Sequence, residues 1–181
     1  MEPLILIAYG TKHGCTREVA EVLGDALAEH GLEAETLAAR QVQDIAQYAG
    51  VVVGGSLYMG RWHPESLAFL RRHARALSAL PLAVFAMGPR TLDPGEVAQS
   101  KEQLGHALAK VPQVDPYAVA IFGGVVDPKK LRFPLSKLPA SDARDWARIR
   151  DWAGELAAAF DYGKAASIAG DSRRELQQSP R

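Results

Sequence analysis

The sequence predicts an α/β fold in which five parallel strands form one doubly wound sheet with helices on both faces. Two patterns support this prediction. Apolar runs of strand length alternate with helix-length amphipathic segments, and most of those runs are continuously apolar, as in strands buried on both faces. In a chain of 181 residues, right-handed crossovers between such strands favour the common strand order 2-1-3-4-5.

The predicted strands occupy five segments of the chain. The continuous apolar runs are Leu4 to Tyr9 (LILIAY), Val51 to Gly55 (VVVGG), Leu82 to Met87 (LAVFAM) and Tyr117 to Gly123 (YAVAIFG). The remaining strand, Glu33 to Leu37 (EAETL), alternates apolar and polar residues. Alternation is typical of a strand with one solvated face, so we expect this strand at an edge of the sheet.

Four helices are predicted between and after these strands, because apolar residues recur there at helical spacing. The first helix begins near Cys15 and stops at Gly31, where a glycine is a common helix terminator. The second begins at Pro64, and the third spans Pro94 to Lys110. The apolar stripe of the last helix, which we expect to lie in the core, comprises Trp146, Ile149, Trp152, Ala153, Leu156 and Phe160.

These elements suggest one domain, residues 1–162, followed by a polar tail, residues 163–181, that we expect to be mobile. The 48% hydrophobic content suits a single globular domain. Lys+Arg 21 balances Asp+Glu 21, which argues against a general nucleic-acid binder. The histidines have neither ligand spacing nor cysteine partners, so no metal site is expected.

The sequence also favours a cytoplasmic protein. No apolar run approaches the roughly 20 residues that span a bilayer. The beginning, MEPLILIAYG, shows neither a basic leader nor a small-residue cleavage site. The single cysteine, Cys15, cannot form an internal disulfide, which fits a reducing compartment.

The predicted topology indicates where a ligand would bind. Doubly wound sheets bind ligands at the carboxyl ends of their strands, beside the point where the strand order reverses. In the order 2-1-3-4-5 that point lies between the first and third strands. The loops after Tyr9, Gly55 and Met87 should therefore meet at one crevice.

The first of these loops has the composition of an anion site. Free N–H groups at the start of a helix favour an anion, hydroxyl groups add donors, and a lysine adds positive charge. The loop runs directly into the first helix and contains Gly10, Thr11, Lys12, His13, Gly14, Cys15 and Thr16. It predicts a phosphate site, with a plain turn and helix cap as the alternative. It matches neither GxxxxGK[ST] nor GxGxxG, which disfavours nucleoside triphosphatases and Rossmann-type dinucleotide binding.

Three segments of the chain resemble a known family. AYGTKHGCTREVAEVL resembles the phosphate loop of the flavodoxin-fold FMN proteins. VVVGGSLYMGRWHPESLAFLRRHARAL and PLAVFAMGPR resemble the menaquinone-dependent protoporphyrinogen oxidase branch of that family. The similarity runs in order from about Leu4 to Phe160. It implies a flavodoxin-like fold and a non-covalently bound FMN, with the phosphate on the first loop and the isoalloxazine ring between the second and third.

The resemblance also implies which positions hold the FMN. The phosphate would contact Thr11, Lys12, His13, Gly14, Cys15 and Thr16. The ring would lie along Ser56, Leu57, Tyr58, Met59 and Gly60, with Met87 and Gly88 on its other edge. Because the flavin carries the redox chemistry, no catalytic side chain is assigned. Tyr58 and Trp62 could equally be core or interface aromatics, and His63 could cap the second helix.

One segment departs from that branch, which carries a long basic and apolar insertion after its last strand. Here the segment reads VVDPKKLRFPLSKLPASDARDW, which is shorter and is interrupted by prolines. It keeps a basic and apolar character. A loop that touches anionic lipid or a carboxylated substrate is one interpretation, and a solvated loop is the other. We expect at most peripheral contact with a membrane.

The predicted function is that of an FMN-dependent oxidoreductase. It would transfer electrons between a small molecule, with protoporphyrinogen as one candidate, and a quinone or another acceptor. An electron-transfer protein with a redox protein partner is an alternative, although the neutral chain lacks the acidic surplus that such shuttles use for docking. A flavin-free interaction module is a third hypothesis. No nucleic-acid partner is expected.

Overall fold

The computed structural model describes residues 3–160, so the predicted tail at 163–181 lies outside the described residues. The strands, in chain order, are β1 (Leu4–Gly10), β2 (Glu33–Ala38), β3 (Gly50–Tyr58), β4 (Arg61–Trp62), β5 (Leu82–Met87), β6 (Ala118–Phe122), β7 (Val125–Val126) and β8 (Ser141–Asp142). The helices are α1 (Cys15–Glu29), α2 (Pro64–Leu77), α3 (Pro94–Leu108) and α4, helical over residues 146–160. Among the described helices, none is long and apolar enough to cross a membrane.

The main sheet confirms the predicted topology. Its parallel strands lie in the order β2-β1-β3-β5-β6, which is 2-1-3-4-5 when only the parallel strands are counted. The alternating strand β2 is at an edge, as predicted. The short β4 pairs antiparallel with β3, and β7 pairs with β8 in a separate ribbon. Neither pairing was predicted.

Continuously apolar strands are explained by helices on both faces of the sheet. Successive residues of β1 point to opposite faces, so that Ile5 and Ile7 pack with α1 and α4 while Leu6 packs with α2 and α3. On the first face, the Trp152 ring lies 5.5 Å from the Phe122 ring, centroid to centroid, in an edge-on arrangement. The two layers together bury every residue of β5.

Trp146 differs from the prediction that it belongs to the core stripe of α4. Its side chain is 38% exposed, and the guanidinium of Arg144 lies 4.7 Å from its ring centroid. The residue begins the helix, one turn before α4 reaches the sheet. It therefore packs under a cation at the surface, an arrangement that favours an aromatic ring.

The strand register places the three predicted loops at one edge. Gly10 is opposite Gly55 across the β1–β3 pair, and Ser56 is opposite Met87 across the β3–β5 pair. The loops after β1, β3 and β5 therefore leave the sheet side by side. Strand β3 is longer than predicted. It pairs with β5 as far as Ser56 and then with β4 as far as Tyr58.

Candidate functional site

The carboxyl edge of the sheet borders a cavity of about 690 Å³. The predicted FMN contacts that line it are Lys12, His13, Cys15, Ser56, Leu57, Tyr58, Met59 and Gly88. The cavity lining does not include the other predicted contacts, which are Thr11, Gly14, Thr16, Gly60 and Met87. Met87 is 1% exposed and belongs to the hydrophobic core, where it supports the start of the third loop.

The phosphate loop, residues 10–16, leaves the start of α1 open. Gly14 occupies the N-cap position in a left-handed conformation, with φ 92°, and no described side chain caps the helix. The Thr11 hydroxyl accepts a hydrogen bond from the Gly14 N–H at 2.9 Å, which shapes the turn. The first N–H groups of α1 are therefore available to an anion.

Two buried polar atoms of this loop have no hydrogen-bond partner among residues 3–160: Nε2 of His13 and Oγ1 of Thr16. Burial, followed by the charges of Lys12 and Lys130, lowers the pKa of His13, although Asp127 acts in the opposite direction. The His13 imidazole is therefore neutral near pH 7. Its Nε2 and the Thr16 hydroxyl can each donate a hydrogen bond. Leaving such atoms unpaired is costly, and a phosphate oxygen would satisfy them.

The second loop is a tight hairpin between β3 and β4. Met59 and Gly60 form its two-residue turn, with φ 48° and φ 74°, as in the turns whose twist suits antiparallel pairs. Met59 is 80% exposed at the tip. A left-handed conformation is strained for methionine by about 1 kcal/mol or more.

The two aromatic residues beside this turn have different roles. Trp62 is 3% exposed, and its Nε1 donates a hydrogen bond to the Gly55 carbonyl at 3.1 Å. Tyr58 is 41% exposed on the cavity wall, where Lys12 Nζ lies 4.9 Å from its ring centroid. Trp62 thus anchors the hairpin to β3, and Tyr58 offers an aromatic surface to a ligand.

His63 caps α2 and also lines the cavity. Its Nδ1 accepts a hydrogen bond from the Glu65 N–H at 3.3 Å. Burial lowers the pKa of His63, while the Glu65 charge raises it. A Cβ atom at Gly10 would lie 2.4 Å from Nδ1 of His63. The start of α2 can therefore lie over the end of β1 only because residue 10 is glycine.

A further cavity wall comes from residues 125–144, the wall segment, for which contact with anionic lipid or a carboxylated substrate was one of the two interpretations of the sequence. It contains β7, two short 3-10 turns at Pro128–Lys130 and Leu135–Lys137, and β8. Its residues on the cavity are Val125, Val126, Asp127, Lys130, Leu131, Leu135, Leu138 and Arg144. The mixed basic and apolar pattern was visible in the sequence, but its position over the phosphate loop was not.

Polar contacts hold the wall segment against the phosphate loop and α1. Lys130 Nζ donates to the His13 carbonyl at 3.3 Å. Arg144 donates to Asp142 at 2.7 Å through Nη2 and also to Glu18 of α1. Hydrogen bonding to Asp142 raises the pKa of Arg144, and the same bond lowers the pKa of Asp142. Both groups are therefore charged near pH 7.

A family model described as a flavodoxin domain matches residues 6–135. The chain belongs to the flavodoxin domain family. Membership of this family indicates FMN as the cofactor. The phosphate loop, whose two buried donors have no partner among the described residues, fits the phosphate end of FMN. The aromatic and apolar lining beside it fits the ring end.

The relatives and solved structures that resemble this chain have low sequence identity to it. A protoporphyrinogen IX dehydrogenase (quinone) from Escherichia coli is 24% identical over 169 residues, covering 84% of this chain and 93% of that protein. A flavodoxin from Pseudomonas aeruginosa superposes with a TM-score of 0.55 at 19% identity, covering 87% of this chain and 99% of that one. The rubredoxin oxygen:oxidoreductase from Desulfovibrio gigas gives a TM-score of 0.60 at 13% identity, covering 91% of this chain and 38% of that one. The two structures share the fold with this chain.

Proposed function

We propose that this protein is an FMN-dependent oxidoreductase that passes electrons between a small molecule and a quinone or another acceptor. The observation that carries the proposal is that the wall segment and the predicted flavin loops line one cavity, to which the wall segment adds apolar side chains. The bound flavin would supply the electron and hydride transfer. The protein would supply binding, orientation and exclusion of water.

The phosphate loop would hold the phosphate of FMN. The N–H groups at the start of α1 point to it, and Lys12 adds positive charge. The buried donors of His13 and Thr16, which have no partner among residues 3–160, would donate to the phosphate oxygens. Thr11 and Gly14 set the turn, and Cys15 borders the cavity at the first residue of α1.

The second and third loops would hold the isoalloxazine ring. Ser56, Leu57 and Tyr58 line the cavity along the end of β3, and Met59 and Gly60 close the hairpin beyond them. Gly88 lines the cavity after β5, and its N–H is held by the Phe122 carbonyl at 3.0 Å. Met87 supports Gly88 from the core. A largely apolar cavity lined by these loops suits a planar ring.

The wall segment favours an enzyme over an electron shuttle. Shuttles expose a cofactor edge to a protein partner and dock through complementary charge. Here Leu131, Leu135 and Leu138 cover the cavity with apolar side chains, which suits a small hydrophobic reactant. The Escherichia coli relative is named for protoporphyrinogen IX and a quinone. These two compounds are therefore the first candidates for donor and acceptor.

The test begins with flavin binding and continues with reduction. Fluorescence titrations with FMN and riboflavin should show much tighter binding of FMN, because only FMN carries the phosphate. The bound flavin should then be reduced anaerobically by protoporphyrinogen IX or menaquinol, as measured by loss of its visible absorbance. Reduction of the flavin only by a partner reductase would support an electron-transfer protein without its own substrate. If the protein binds no flavin, the hypothesis of a flavin-free interaction module would be favoured.

A matched pair of variants tests the role of the wall segment. Leu135 lines the cavity and the adjacent Ser136 does not. Leu135→Asn should slow reduction by the small molecule about tenfold, the equivalent of roughly 1.4 kcal/mol, and should leave FMN binding unchanged. Ser136→Asn should change neither quantity. Equal reduction rates in both variants would contradict the proposed role of the wall.

A further inference from the structure

Two arginines on the cavity wall have guanidinium groups that no other described residue contacts through a hydrogen bond or an ion pair. The cationic residues that line the cavity are Lys12, Arg61, Arg90, Lys130 and Arg144. Lys12 lies over the Tyr58 ring, Lys130 donates to a carbonyl, and Arg144 is paired with two carboxylates. The guanidinium groups of Arg61 and Arg90 have no hydrogen bond or ion pair with another residue among residues 3–160.

The carboxylates on the same wall are already engaged. Glu18 pairs with Arg144, and Asp127 accepts a hydrogen bond from the Lys129 N–H at 3.1 Å. These are the carboxylates that the structure places on the cavity among residues 3–160. The cavity is thus cationic although the whole chain has a formal net charge of zero. Positive charge concentrated in an apolar cleft attracts anionic ligands.

Arg61 and Arg90 stand apart from the phosphate loop. Arg90 follows β5, which lies two strands from β1 in the sheet, a lateral distance of about 10 Å. Arg61 begins β4, beyond the hairpin turn that leaves the end of β3. The phosphate loop also has its own donors in His13, Thr16 and the start of α1. A second anionic group is therefore the better match for the two arginines.

We propose that Arg61 and Arg90 form an anion subsite that selects substrates with a carboxylate attached to an apolar, redox-active ring system. This inference rests on the proposed oxidoreductase function. A guanidinium group presents donors in a planar fork that matches a carboxylate. Leu131, Leu135 and Leu138 supply the apolar surface for the ring system on the wall segment. The two arginines determine specificity, and the flavin performs the redox step.

The test uses the FMN-loaded protein and two ligands with the same ring. Anthraquinone-2-carboxylate carries the anionic group, and 2-(hydroxymethyl)anthraquinone is its neutral counterpart. Titration calorimetry should show at least about tenfold tighter binding of the carboxylate, as expected for one charge-assisted hydrogen bond. The preference should weaken as salt is raised, because salt screens exposed charges. Equal affinity for both ligands would overturn the proposal.

Variants assign the preference to the two arginines. Arg61→Gln and Arg90→Gln should each reduce the carboxylate preference several-fold and leave the FMN dissociation constant unchanged. Arg132→Gln is the matched control, because Arg132 is exposed on the wall segment but does not line the cavity. The same preference in all three variants would refute the subsite. So would arginine-dependent binding of NADPH without any carboxylate preference, since the subsite would then take a phosphate.

These outcomes separate the subsite from the proposed function. Failure to bind FMN in the first titration would remove the oxidoreductase itself. Normal FMN binding and flavin reduction, combined with equal affinity for the two anthraquinones, would remove only the subsite. The two proposals therefore fail in different measurements.

Discussion

Replacing Thr16 by valine should stabilise the FMN-free protein and weaken its FMN complex. Thr16 is fully buried, and its hydroxyl has no partner in the described part of the chain. Valine has nearly the same shape but no hydroxyl, so the substitution leaves no large void. The effect on the free protein and the effect on the complex should therefore have opposite signs.

The expected magnitudes follow from the state of the hydroxyl. A buried polar group without a partner costs about 1 to 3 kcal/mol, so removing it should raise the free energy of unfolding of the FMN-free protein by about 1 kcal/mol. A hydrogen bond to a charged phosphate contributes about 1.5 to 3 kcal/mol. Its loss should raise the FMN dissociation constant by roughly 10- to 150-fold. Riboflavin binding should not change, because riboflavin has no phosphate.

The assay combines urea unfolding without flavin, in a phosphate-free buffer, with fluorescence titrations of FMN and riboflavin. Thr16→Ser keeps the hydroxyl and should retain FMN affinity. Ser66→Ala is a contrasting control, because the Ser66 hydroxyl donates to the Gly54 carbonyl at 2.8 Å and its loss should destabilise the protein. A valine variant that is less stable and binds FMN normally would refute the assignment of Thr16 to the phosphate.

Four further predictions concern stability. Gly10→Ala should lower the free energy of unfolding by about 1 to 3 kcal/mol, because its Cβ would lie 2.4 Å from the imidazole that caps α2. Gly105→Ala should raise the free energy of unfolding by about 0.5 to 1 kcal/mol, because Gly105 lies in α3 and an added Cβ would have no described atom within 4 Å. Urea midpoints that move in the same direction for Gly10→Ala and Gly105→Ala would contradict this reasoning. Met59→Asn should raise the thermal midpoint, since asparagine tolerates the φ of 48° better, and a lower midpoint would argue against strain at the turn. Burial lowers the pKa of three histidines, His13, His63 and His73, below the unfolded value of 6.5. Below that pH the unfolded chain therefore binds more protons than the folded chain, so the free energy of unfolding should fall on acidification. Urea unfolding of the FMN-free protein above and below pH 6.5 will test this prediction. A higher free energy of unfolding on the acidic side would contradict it.

The parallel sheet could be predicted because the residue pattern within each short segment shows whether that segment is a buried strand or an edge strand. Continuously apolar runs such as Leu82–Met87 identify strands covered on both faces, and the alternating sequence of Glu33–Leu37 identifies an edge. Strand order and right-handed crossovers then determine which loops share an edge. The convergence of the first three loops on one cavity follows from this topology and from the lengths of the strands.

The short pairings could not be predicted, because two-residue strands have no readable period. The ribbon of Val125–Val126 with Ser141–Asp142 joins segments separated by a proline-rich stretch. The hairpin at Met59 lacks the Asn-Gly or Asp-Gly signature that usually marks such a turn. Trp146 satisfied the helical spacing of a core residue, yet it is the first residue of α4 and its side chain is 38% exposed.

The sequence by itself determined the sheet, its helices and the phosphate loop, because burial patterns and turn residues act on near neighbours along the chain. Only the tertiary structure decided what surrounds that loop. It brought the wall segment over residues 10–16, left the Thr16 hydroxyl without a partner in the described part of the chain, and exposed Arg61 and Arg90 to the same cavity. These features depend on contacts between residues far apart in the chain, and local periodicity carries no information about such contacts.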